Sequence, residues 1–123
     1  MNAAQQKKSA SQSDWFESEK SRRHDVESGK TVIASMKNDV NLIAWAKAQG
    51  LFVRIDRKSI WGNPFAIPGD GDRKTVCESY ETYFGLKKSL HGKVKSLAGK
   101  VLGCHCYPDQ CHGDFLAKMV NSR

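Results

Sequence analysis

The sequence predicts a small three-layer α/β domain with a short, mainly parallel sheet and a helical N-terminal extension. Three observations lead there. Short β-branched or apolar runs recur at Thr31–Ala34, Leu51–Ile55 and Lys100–Cys104, the composition of buried strands. Stretches whose apolar residues fall at helical spacing separate those runs, and alternation of strand and helix favours parallel pairing. Glycines stand where helices should stop. At 123 residues and 39% hydrophobic content, the chain suits one domain with a modest core.

Residues 1–13, rich in Gln, Lys, Ser and Ala, show no periodicity and read as a disordered tail. From Asp14 to Gly29 the spacing suits a charged helix, with Ser13 or Asp14 as cap and few apolar residues beyond Trp15, Phe16 and Val26. Residues 1–29 are therefore expected to be a tail and a helical extension lying on the domain, and residues 30–123 the single α/β domain. Within it, Asn38 or Asp39 offers an N-cap. Val40, Leu42, Ile43, Trp45 and Ala46 form an apolar stripe, and Gly50 follows as a C′ residue. With the flanking strands this is a βαβ unit joined by a right-handed crossover. Gly62, Pro64, Pro68, Gly69 and Gly71 then exclude regular structure. Helical spacing resumes from Arg73 to Leu90, weakened at Gly85. A polar connector over 93–97 leads to the third strand, and the last helix runs from about Cys111 to Asn121.

The chain has no apolar run of about 18 residues, which excludes a spanning helix. Its first residues lack the apolar core of a secretory signal, so a cytoplasmic protein is expected, with no membrane partner. There, four cysteines are expected as thiols or metal ligands rather than disulfides. The net charge of +7 is uneven: residues 31–123 hold fourteen basic and eight acidic groups. Lys87, Lys88, Lys93, Lys95 and Lys100 occur with no acidic residue between them. Such a surplus suits a polyanionic partner, a nucleotide or nucleic acid; a solvated lysine face explains the same run.

The stretch richest in chemistry is Gly103-Cys104-His105-Cys106-Tyr107-Pro108-Asp109-Gln110-Cys111-His112-Gly113-Asp114. On a strand, Cys104 and Cys106 share a face and His105 opposes them. The turn then delivers Cys111 and His112 to the start of a helix. Two functional readings stay open. Cys104, Cys106, Cys111 and His112 are a permitted tetrahedral zinc set, although one Cys-x-Cys followed by an adjacent Cys-His departs from the usual knuckle spacing. Without metal, Cys111 at a helix N-terminus faces unpaired amides that favour thiolate. His112 would then act as acid, base or donor, and Asp114 as its orienting group. The packing alternative is that Cys104 and Cys106 lie under a helix. Cys77, beside Val76, is expected as plain core.

The second candidate is Trp61-Gly62-Asn63-Pro64-Phe65. It follows a strand and so should open on the same edge of the sheet as the cysteine turn. Trp61 offers a stacking face, Gly62 close backbone approach, Asn63 a hydrogen-bonding edge, and Arg73 a phosphate or carboxylate clamp. As an alternative, Trp61 and Phe65 anchor the loop in the core.

These two motifs in order, with Tyr80, Gly99-Lys100 and Leu116, make the chain resemble domain of unknown function family 4326, over about residues 51–120. Members occur in bacteria, phages and mobile elements and often carry tryptophan where this chain has His105, which argues against His105 as an essential group. The segment 14–50 resembles an extension found in plasmid and phage members. The Cys-Pro-Cys-His turn is also similar to domain of unknown function family 488, which implies a Rossmann-like arrangement. Neither resemblance supplies a reaction. The expected function is binding of a nucleotide, nucleobase or nucleic-acid end at the carboxyl ends of the strands, with a reactive Cys111–His112 pair. The alternative is a non-enzymatic, zinc-stabilised accessory module of a mobile element acting on nucleic acid or a protein partner.

Overall fold

The computed structural model describes residues 15–122. In chain order they form α1 (Glu17–Glu27), β1 (Val32–Ser35), α2 (Val40–Ala48), β2 (Phe52–Arg54), α3 (Arg73–Leu86) and α4 (Lys88–His91). A short 3-10 helix (Val94–Leu97), β3 (Val101–Cys104) and α5 (His112–Asn121) complete the chain. The tail expected over 1–13, and the Ser13 and Asp14 caps, lie outside the described residues. Among the described residues no helix is long and apolar enough to cross a membrane.

The three strands are parallel, in the order β1-β3-β2. β1 and β2, the two ends of the expected βαβ unit, are therefore not neighbours. Their crossover through α2 leaves one strand's width between them, and β3 fills it. Strand composition explains the placement. Val101, Leu102 and Cys104 are buried, which suits a strand covered on both faces, whereas β2 is half-exposed along its length.

Alternation along the strands divides the core into two layers. Val32, Ala34 and Val101 face α1 and α2, packing with Leu42, Ile43, Ala46 and Trp15. Ile33, Leu102 and Cys104 face the opposite layer, packing with Tyr80, Phe84, Leu116 and Val120 of α3 and α5. The domain is thus a three-layer α/β sandwich. The helix expected over Arg73–Leu90 is interrupted at Lys87, so that Leu90 turns into the core from α4. Lys87, Lys88, Lys93 and Lys95 are exposed there.

The charged helix α1 is built into this sandwich by polar contacts. Arg22 donates from Nη1 to Ile33 O (2.7 Å) and Asp39 Oδ2 (2.9 Å), and from Nη2 to Asp39 Oδ1 (2.8 Å). Asp39 also accepts from the Ser35 amide at 2.7 Å. Burial pushes its pKa up, but the bonds from Arg22 and Ser35 prevail and hold it below the usual carboxylate value. With Asp39 so engaged, it does not cap α2 through its side chain. Glu19 of α1 serves instead, accepting from Leu42 N (2.9 Å) in the first turn of α2 and from Phe16 N (3.0 Å) at the start of its own helix.

This cluster supplies a test of the packing. Arg22→Ala leaves Asp39 buried without its cation, so unfolding stability is expected to fall by about 3 kcal/mol or more. Urea titration of the parent and variant measures it, and a change below about 1 kcal/mol would mean the pair is solvated.

Candidate functional site at the carboxyl ends of the strands

β2 and β3 end side by side. Past Arg54, Ile55 N still donates to Gly103 O at 2.9 Å, and the chain then turns through Asp56 and Arg57. Past Cys104, residues 105–110 form a turn that reaches Cys111, the N-cap of α5. A cavity of about 490 Å³ opens between these two turns, the loop after β2 and the start of α3. Its floor and walls include Cys104, Cys106, Cys111 and His112, together with Phe65, Ile67, Val76 and Cys77; Asp56, Arg57, Lys58, Arg73 and His105 bring charge to it.

Two thiols lie in contact. The Sγ atoms of Cys104 and Cys111 are 3.5 Å apart, with the residues only 1% and 4% exposed. Charging both sulfurs at this distance is prohibitive, so the pair holds a proton between them. The hydrogen bond from Cys111, helped by the amides of Tyr107 and Cys106, outweighs burial and lowers Cys104 to about 6. Its neighbour is pushed up by the same contact and by burial, against a single amide, that of Gly113. The amides of Tyr107 and Cys106 favour charge on Cys104, whereas the Gly113 amide alone favours it on Cys111. Gly113 is needed here: a Cβ would stand 2.8 Å from Ile55 Cδ1 and 3.2 Å from Cys111 Sγ.

The remaining members of the cysteine turn separate. His112 is buried, its ring 4.8 Å from that of Tyr80. Its Nε2 lies 2.7 Å from Ile55 O. A carbonyl only accepts, so Nε2 carries the hydrogen, and burial lowers the pKa of the ring and keeps it neutral. Asp114 is exposed and accepts from Cys111 N at 3.1 Å; it caps α5 and does not hydrogen-bond His112. Cys106 is half-buried beside the Arg73 guanidinium, whose pKa is raised first of all by that contact. Among the described residues, no three His, Cys, Asp or Glu side chains are grouped so as to hold a metal ion. Cys104, Cys106, Cys111 and His112, the expected zinc set, are thus not gathered into one such group: Cys104 and Cys111 are in contact, while Cys106 stands beside Arg73.

The loop after β2 also rearranges the expected roles. Trp61 is 4% exposed in the core, and its carbonyl accepts from Tyr80 Oη at 2.9 Å, so it is an anchor and not a stacking face. A Cβ on Gly62 would lie 2.6 Å from Arg57 Cα, so this glycine admits the protein's own backbone rather than a ligand. Both ends of the Asn63 amide are used within the protein, Nδ2 donating to Val76 O of α3 (3.0 Å) and Oδ1 accepting from Phe65 N (3.0 Å). Phe65 and Ile67 line the cavity beside Asn63. Arg73 does reach the cavity, where Nη1 donates to Gln110 O at 3.1 Å.

Four charged contributors went unread in the sequence. Asp56 is held at about 2, first by Arg54 and then by His105 and the Lys58 amide against burial. Its Oδ2 lies 3.1 Å from His105 Nε2. Arg57 binds Asn63 O (3.2 Å) and Phe65 O (3.0 Å), fastening the loop. The signal was available: Arg54-Ile55-Asp56-Arg57-Lys58 is a charged run directly after a parallel strand, where ligands approach such sheets.

Comparison with known proteins agrees with the resemblance already noted. An uncharacterized 12.4 kDa protein of Enterobacteria phage T4, named for the nrdA-td intergenic region, is 34% identical over 74 residues, 56% of this chain and 67% of that protein. No solved structure matches the chain. The family described as Domain of unknown function (DUF4326) matches residues 40–122, which contain β2, β3, α5 and every side chain of the cavity, and the chain belongs to that family.

Proposed function

We propose that this domain binds an anionic small molecule of the nucleotide class in the cavity beyond β2 and β3, with Cys104 as its reactive group. The observation that carries the reading is the cavity's division of labour. Arg57, Lys58 and Arg73 bring three cations to it, while the one carboxylate among its lining residues, Asp56, is already paired with Arg54 at 2.7 Å. The net field there favours phosphate or carboxylate. Phe65, Ile67 and Val76 offer an apolar wall of the kind a base or other flat ring needs. The space, about 490 Å³, is within the range of small-molecule sites.

The reactive assignment passes from Cys111 to Cys104 because Cys111 supplies the proton that stabilises its neighbour's negative charge. His112 then positions α5 against β2 rather than transferring protons, and Asp114 caps the helix. The other sequence-based reading, a zinc-stabilised accessory module, draws no support from the way the thiols are paired. One equivalent of tightly bound zinc in the purified protein, with unfolding on chelation, would restore it.

Calorimetric titration with a nucleoside monophosphate such as AMP tests the pocket. Binding is expected, and Arg73→Ala should weaken it about tenfold or more, the loss of one charge-assisted hydrogen bond. Absence of binding by the parent, or an unchanged affinity in Arg73→Ala, would reject the nucleotide reading.

The thiolate has its own pH signature. The charged and titratable groups around Cys104 are Cys111, Cys106, Asp114, His112, Asp56 and Arg73, and the contact with Cys111 dominates. Ionisation removes a proton, so alkylation of Cys104 by iodoacetamide, mapped by mass spectrometry, should rise with pH to half its plateau near 6. In Cys111→Ala the donor is gone, and the midpoint should move up toward that of an ordinary thiol. A parental midpoint above about 8 would refute the assignment.

A further inference from the structure

We propose that Cys104 and Cys111 are a redox pair that carries out thiol–disulfide exchange with a low-molecular-weight disulfide admitted through the cavity. The inference stands on the placement of the two sulfurs and does not need an anionic ligand. They are 3.5 Å apart without being bonded, and formation of the S–S bond requires an approach of about 1.5 Å. Cys104 ends a strand, but Cys111 is the N-cap of α5 at the end of a six-residue turn, so the approach asks only for movement of that turn. Both residues line the cavity while being 1% and 4% exposed, which admits a slim reagent and shields the pair from protein disulfides. The cavity's other cysteines differ. Cys77 is on α3, and Cys106 is beside Arg73.

The exchange balances without a further reactant. The Cys104 thiolate attacks one sulfur of R–S–S–R, forming the Cys104–S–S–R mixed disulfide and expelling R–S⁻. The expelled thiolate takes the proton of the Cys111 thiol. Cys111 then attacks the Cys104 sulfur, closing the Cys104–Cys111 disulfide and expelling the second R–S⁻, which is protonated from solvent. Two electrons pass from the protein dithiol to the substrate disulfide, yielding two R–SH.

The experiment uses bis(2-hydroxyethyl) disulfide, a small neutral probe, on the full reduced chain. Peptide mapping under non-reducing conditions is expected to show a Cys104–Cys111 disulfide in the parent, and dithiothreitol should reverse it. Cys111→Ser should stop at a probe adduct on Cys104, and Cys104→Ser should lose both products; circular dichroism checks that each variant is folded. Cys106→Ser and Cys77→Ser should oxidise as the parent does. Oxidation of the parent is read independently of AMP binding, so failure of the nucleotide reading and failure of this inference are separate outcomes. A parent that keeps both thiols free, or a disulfide that joins Cys106 to either partner, overturns the proposal.

Discussion

Every hydrogen bond of the sheet is made to β3. β1 and β2 each pair with it in parallel and with nothing else in the sheet, so neither has a strand partner until residues 101–104 are in place. The constraint is severe because β3 comes late in the chain, after α3, α4 and the 3-10 helix. It also settles where chemistry can happen. The central strand of a parallel sheet is covered on both faces, and its carboxyl end opens between the turns of its neighbours. Cys104 is that carboxyl end, so the sulfur sits in the middle of the site as a consequence of strand order.

A sheet of three short strands has little apolar area to hold it, and its edges must be satisfied. The outer edge of β1 is closed by side chains. Asn121 bonds both the amide and the carbonyl of Thr31, at 2.9 Å each. Arg22 takes Ile33 O, and Asp39 takes Ser35 N. Two of these groups form the buried ion pair that joins α1 to α2, so edge protection and helix docking are one network. Its charges are costly to bury, and bidentate geometry with additional backbone bonds is what offsets that cost.

The cavity shows how the same residue types divide between holding the fold and facing a ligand. Trp61, Gly62, Asn63 and His112 each satisfy an internal demand: an apolar anchor, a close backbone approach, a loop hydrogen-bond pair, a bond across to β2. Asn63 and His112 still border the space, beside Phe65, three cations and the thiols, but with the Asn63 amide and His112 Nε2 already bonded within the protein. Sulfur meets sulfur at Cys104 and Cys111, a contact that depends on the turn between them folding back on itself.

The sequence by itself determined the class of fold, the order of its helices and strands, and the edge on which two motifs meet. These rest on local periodicity, on glycines at helix ends such as Gly50, with φ of 71°, and on apolar strands, all of which act over a few residues. Tertiary structure decided the rest. It inserted β3 between β1 and β2, because pairing depends on which strand can be covered on both faces. It made Glu19, of another helix, the cap of α2, because Asp39 was claimed by Arg22. It turned His112 to Ile55 O and brought Cys111 against Cys104, without gathering the four expected zinc ligands into one group. Hydrogen bonds between residues 57 apart in the chain, such as that from His112 to Ile55, leave no periodic trace in sequence. Their partners are named only when the chain has folded.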